Sequence, residues 1–215
     1  KYKLTDWLDA EARFGTDMYT TNFNNRTFSG SPLSSTGQYG TGKTTFSENN
    51  FIAALHSQFD QIGDSKWGLN ASLFGQLMRN KESNISGSAG ELEVPNLFTL
   101  TNSKGNPGVS EGFYQKQINS LYATAEFNYD GYWYINLTGR NDWSSALSKE
   151  NRSFFYPSVS TSLVISEMIS KTGGSTPDWL SFLKVRGSYA AVGNDLPAYR
   201  LYNVYSIGKD PNGNT

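Results

Sequence analysis

Gly37-Gln38-Tyr39-Gly40-Thr41-Gly42-Lys43-Thr44 spells, letter for letter, the G-x-x-x-x-G-K-[ST] pattern whose successive backbone N–H groups cradle phosphates. That chemistry requires a buried strand before the loop and a helix after it, so that a helix N-terminus faces the anion. Here the preceding Phe28 to Thr36 is rich in Ser, Gly and Pro, and the following Thr45 to Asn50 is polar, so neither element is legible. The match is read as chance, and nucleotide binding is not expected.

The other reactive side chains are equally isolated. His56 is the sole histidine and there is no cysteine, so no second imidazole or thiolate completes a metal pair. Ser144-Ser145 offers hydroxyls, but the single imidazole is distant in sequence and no G-x-S-x-G elbow occurs. The pairs Asp9/Glu11 and Glu91/Glu93 invite a glycosidase comparison, because such enzymes use two carboxylates. On a strand, however, residues i and i+2 merely share a face, and solvated charge is the default. The sequons Asn25-Arg26-Thr27 and Asn151-Arg152-Ser153 are read as chance in an Asn- and Ser-rich chain. The expectation is no enzyme, no cofactor and no metal.

What remains is the scaffold. Of 215 residues, 14% are aromatic and only 17% charged, with 21 Gly. That is a β composition. Eighteen basic and 19 acidic residues nearly cancel to a net charge of -1, so no nucleic-acid partner is implied. An apolar fraction of 37% is low for a globular core of this length, and no run of about 18 apolar residues exists to form a membrane-spanning helix.

The alternation of residue types supplies the missing explanation. Leu121, Ala123, Ala125, Phe127 and Tyr129 share one parity while Tyr122, Thr124, Glu126 and Asn128 hold the other. After a tight Asp130-Gly131 turn, Trp133, Ile135, Leu137 and Gly139 oppose Tyr134, Asn136, Thr138, Arg140 and Asp142. The same scheme sets Phe155, Val159, Leu163 and Ile165 against Tyr156, Ser158, Ser160 and Ser162. It recurs from Leu8 to Met18, Phe51 to Phe59, Trp67 to Leu77 and Leu183 to Ala191. Each run has about ten residues, enough to cross a bilayer when tilted. One face is apolar; the other carries Asp9, Glu11, Arg13, Glu126, Arg140, Asp142, Lys184 and Arg186, too many charges for a dry core. These eight are expected to face a water-filled lumen.

Long and short connections alternate in the outer-membrane barrel manner, with Thr20 to Asn50 and Asn80 to Gln117 as long, polar, extracellular segments. Trp7, Trp67, Tyr129, Tyr132, Trp133, Phe155 and Tyr156 fall near strand ends, where aromatic girdles meet the membrane interfaces. The predicted fold is all-β: an antiparallel up-and-down transmembrane barrel segment of about seven strands. Two open edges would be untenable in hydrocarbon, so the segment is expected to be part of a larger wall, with Lys209 to Thr215 as a polar loop.

A dense series of words then resembles the SusC/RagA family of TonB-linked outer-membrane receptors of Bacteroidota. It comprises Val94-Pro95-Asn96-Leu97-Phe98, Ile118-Asn119-Ser120-Leu121-Tyr122, Arg140-Asn141-Asp142-Trp143-Ser144-Ser145 and Phe155-Tyr156-Pro157-Ser158-Val159-Ser160. Trp179 to Arg186 and Val192-Gly193-Asn194-Asp195 complete it, in the family's order and strongest over Val94 to Tyr199. The resemblance implies a barrel of roughly 22 strands with an amino-terminal plug. It implies energisation by TonB, a SusD-like surface lipoprotein as lid, and oligosaccharide or peptide as ligand. By the same likeness, residues 1–215 form a middle portion of the barrel domain in the outer membrane, with plug, TonB box and signal peptide outside the chain. Two rivals stand beside this importer reading. One is a soluble all-β binding or adhesion module whose apolar parities pack together as a sandwich; the other is an outer-membrane hydrolase.

Overall fold

A computed structural model describes residues 1–201. They form one antiparallel sheet whose eight strands follow strict chain order. The strands are β1 (Tyr2–Lys3), β2 (Leu8–Thr27), β3 (Gln38–Phe59), β4 (Trp67–Glu91), β5 (Gly108–Tyr129), β6 (Trp133–Ser144), β7 (Ser153–Val164) and β8 (Lys184–Ala190). A short helix, α1 (Ile165–Lys171), lies in the β7 to β8 connection. The all-β expectation holds, with eight strands in place of about seven because the two-residue β1 pairs with β2. The sheet is not closed. Lys209 to Thr215, expected to be loop, lies outside the described residues.

One expectation is overturned. Thr20 to Asn50 and Asn80 to Gln117 are mostly strand, because β2 to β5 run for 20, 22, 25 and 22 residues. The true connections are 28–37 and 92–107. Apolar alternation disappears there, but ladder hydrogen bonds persist without it, since they belong to the backbone. Cross-strand pairs add to them. The rings of Tyr19 and Phe46 stack at 4.9 Å, Tyr39 donates to Asn24, and Gln76 donates to Asn50.

Contacts sort the sheet into two units. The first gathers Lys1–Glu11, Ala54–Gly75 and the described residues from Ile118 onward; the second gathers Ala12–Ala53 and Gln76–Gln117. In the first unit, register fixes the faces. Ala125 pairs with Leu137, Leu137 with Val159 and Val159 with Tyr189, while Tyr122 pairs with Arg140 and Arg140 with Tyr156. Paired residues share a face, so the apolar and polar series of the sequence become two surfaces. The β5 to β6 turn is tight for a stated reason. Tyr132 N–H closes on the Tyr129 carbonyl at 3.1 Å, and both central residues, Asp130 and Gly131, have positive φ, as the hairpin-favouring type I′ turn demands.

Burial is sparse. Among the described residues the buried hydrophobic set consists of four alanines and Leu92. Leu73, Leu137 and Val159 are exposed, at 46%, 43% and 42%, and among the described residues no second layer covers them. The sandwich alternative requires that layer. Exposure of so continuous an apolar row is costly in water.

Candidate functional site

In the first unit, the polar face carries a continuous belt of side chains from β2 to β6. Glu11 on β2 approaches His56 Nε2 on β3 at 3.4 Å, and His56 Nδ1 lies 2.9 Å from Ser72 Oγ on β4. The imidazole stands edge-on to Phe74, with centroids 5.4 Å apart. Phe74 stacks on Tyr122 of β5, and Arg140 of β6 sits over the Tyr122 ring at 5.2 Å. Arg140 is then fixed by donation from Nε to Asp142 at 2.7 Å and from Nη2 to Ser120 at 2.9 Å. A guanidinium held by a carboxylate, a hydroxyl and a π face is a stiff, oriented charge.

Beyond Arg140 the face opens into a cavity of about 350 Å³. Arg140, Asp142, Ser144, Phe154, Tyr156 and Asp195 are among the residues that line it. Ser144, almost wholly buried, donates from its hydroxyl to Asp195, which ties the segment after β8 to the end of β6.

The remaining charges expected on this face are located by pairing and by register. Asp9 pairs with Lys1 at 2.9 Å. Lys184 sits 5.8 Å from the Tyr134 ring centroid, and Arg186 stands opposite Ser162. Glu126 pairs in register with Asn136 and so shares the face of Arg140 and Asp142. Arg13 lies on β2 within the second unit.

The aromatics divide. Trp67, Tyr129 and Trp133 cluster near the short turns, with Trp67 centroids 4.9 Å from Tyr129 and 5.8 Å from Trp133, and Tyr132 stands edge-on to Tyr129. Trp7 stacks on Phe59 at 5.3 Å. Phe155, 65% exposed, lies on the apolar face with its ring beside Gly139. Register sets Tyr156 on the face of Arg140, where its ring lines the cavity with Phe154. Adjacent strand residues point to opposite faces, so Phe155 and Tyr156 stand on different surfaces of the sheet.

The decoys resolve structurally. Gln38 to Thr44 is the opening of β3, extended throughout, and the Phe23 ring occupies the space beside Gly42. Glu91, at the far end of β4, accepts hydrogen bonds from Thr36 and Ser34. Those bonds, Thr36 first, hold its carboxyl below the ordinary range. It works as a loop staple.

Sequence reasoning missed Phe74, Tyr122, Phe154, Ser120 and Asp195 as members of the site. The first three carried a signal, being aromatic residues on an otherwise polar parity. Asp195 carried none by spacing, since it lies 51 residues from Ser144.

No family model and no curated protein matches this sequence. The fold does match chains of solved structures. A chain of the RagAB peptide transporter superposes with a TM-score of 0.81 at 20% identity, over 96% of this chain and 23% of that one. A chain of the RagAB peptide importer in the open-open state gives 0.80 at 21%, over 97% and 23%. In the closed-closed state the values are 0.72 and 24%, over 90% and 21%. The present chain thus spans less than a quarter of the length of these relatives, and it shares with them the fold of one stretch of sheet.

Proposed function

We propose that this chain is part of the wall of an outer-membrane, TonB-dependent nutrient importer that takes up peptides or oligosaccharides with a SusD-like lipoprotein. On this reading residues 1–215 belong to a larger barrel domain, and the energy-coupling plug and the TonB contact are supplied by other parts of the receptor. The wall does no covalent chemistry. One observation carries the reading: a single sequential antiparallel sheet bears exposed Leu73, Leu137 and Val159 on one surface and the Glu11–His56–Arg140–Asp142 belt on the other. A sheet dry on one side and wet on the other is what a barrel wall between lipid and lumen requires. The likeness in fold to the RagAB peptide transporter supports the same assignment.

Asp9, Glu11, Arg13, Glu126, Arg140, Asp142, Lys184 and Arg186 are assigned to the lumen, and Trp67, Tyr129, Tyr132 and Trp133 to an interfacial girdle. Site-directed spin labels in the intact receptor, reconstituted into lipid vesicles, test the assignment. Labels at Leu137 and Val159 are expected to be relaxed by oxygen, which partitions into lipid, and labels at Asn136 and Ser160 by a water-soluble nickel chelate. If both pairs respond to the chelate alone, the wall reading fails.

A further inference from the structure

Resting on the importer reading, we propose that the cavity beside Arg140 is a subsite for a cationic group of the imported ligand, namely a Lys or Arg side chain of a peptide. Two carboxylates, Asp142 and Asp195, and one guanidinium, Arg140, line it. The balance is one negative charge.

Arg140 is poorly disposed to receive an anion there. Its Nε is held by Asp142, its Nη2 by Ser120, and one face of its plane by the Tyr122 ring. Asp142 and Asp195 are held in turn by Arg140 and Ser144, and an entering carboxylate or phosphate would face a lining whose net charge is negative. A cation meets the opposite. Phe154 and Tyr156 stand side by side with centroids 6.4 Å apart and planes 21° apart, presenting π surface that attracts ammonium and guanidinium groups. Ile118 and Val192 also line the cavity and give the methylene stem of a long basic side chain an apolar surface to lie on. A volume of about 350 Å³ suits one or two side chains and not an oligomer, so this is a subsite within a longer binding path.

The test uses the intact receptor in detergent and three blocked tripeptides, acetyl-Ala-Lys-Ala-amide and its Gln and Glu counterparts, titrated calorimetrically and offered for uptake. The Lys peptide is expected to bind about tenfold more tightly than the Gln peptide, equivalent to about 1.4 kcal/mol, and the Glu peptide most weakly. Asp142→Asn and Asp195→Asn, each checked for a folded barrel by heat-modifiable gel mobility, are expected to bring Lys and Gln peptides towards parity with little change for Gln. Tyr156→Leu is expected to weaken the Lys peptide alone. Equal binding of Lys and Gln peptides by the unaltered receptor, or equal losses for both in the folded Asn variants, overturns the cation subsite while leaving the importer intact. Failure to bind or take up a peptide of any charge overturns both the cation subsite and the peptide form of the importer reading, leaving oligosaccharide uptake as its other form.

Discussion

Phe74 and Tyr122, on neighbouring strands β4 and β5, lie ring over ring with centroids 4.4 Å apart and planes only 10° apart. The pair stands between His56 on one side and Arg140 on the other, so it is the apolar link in an otherwise charged belt. Aromatic pairs of this kind contribute about 0.5–1.5 kcal/mol beyond the area they bury. A double-mutant cycle with Phe74→Leu and Tyr122→Leu in the full-length protein should return a coupling energy in that range, read from urea unfolding. Strict additivity would mean that the two rings stabilise the sheet independently.

Asp130 makes a pH prediction with a definite sign. It accepts from Lys66 at 2.7 Å and Lys171 at 2.9 Å, and these bonds, Lys66 first, hold its carboxyl below the ordinary range. A carboxyl whose folded pKa is depressed contributes stability that is complete above its unfolded value of about 3.9. The contribution is lost as pH falls through the folded value. Hydrogen exchange at the Gly131 and Tyr132 amides, corrected for intrinsic rates, should therefore accelerate on acidification from pH 5 towards 3. Asp130→Asn, which tolerates the positive φ of 50° yet carries no charge, should flatten that profile.

Leu92 is the one large aliphatic side chain wholly buried among the described residues. Its N–H donates to the Gly37 carbonyl at 3.1 Å and its side chain approaches the same glycine, which lies in the left-handed region at φ +95°. Leu92→Ala should cost about 2–5 kcal/mol locally and speed amide exchange around 92–103 by about 1.5 to 3.5 orders of magnitude, leaving β6 and β7 protected. Exchange spreading evenly over all strands would contradict so local an anchor.

Leu137→Arg and Thr138→Arg form a paired test of the two faces. The first places a charge among Ala125, Val159 and Tyr189; the second lies beside Thr124 and Ser158. If Leu137 meets lipid near the bilayer midplane, its substitution should destabilise the vesicle-embedded receptor by about 2–4 kcal/mol. Thr138→Arg should change stability little. Equal costs at both positions would refute the proposed sidedness.

The faces were legible because a strand whose two sides meet unlike surroundings carries a two-residue period, as at Leu121, Ala123, Ala125 and Phe127. The extensions of β2 to β5 were not. Past Thr20 and Asn80 neither surface demands apolar residues, and Thr, Asn, Ser and Gly spell strand and loop alike. At the site, Arg140 and Asp142 could be placed by parity, but the turn of the chain that brings Asp195 onto Ser144 is a tertiary event without local spelling.

Consecutive strand order has a mechanical corollary. Each described strand zips to its neighbour in sequence, so among these eight no ladder waits on a distant partner and loop-closure entropy is low at every step. Force applied to one terminus should therefore unpick the sheet hairpin by hairpin, as a sawtooth of separate ruptures, instead of releasing it in a single event.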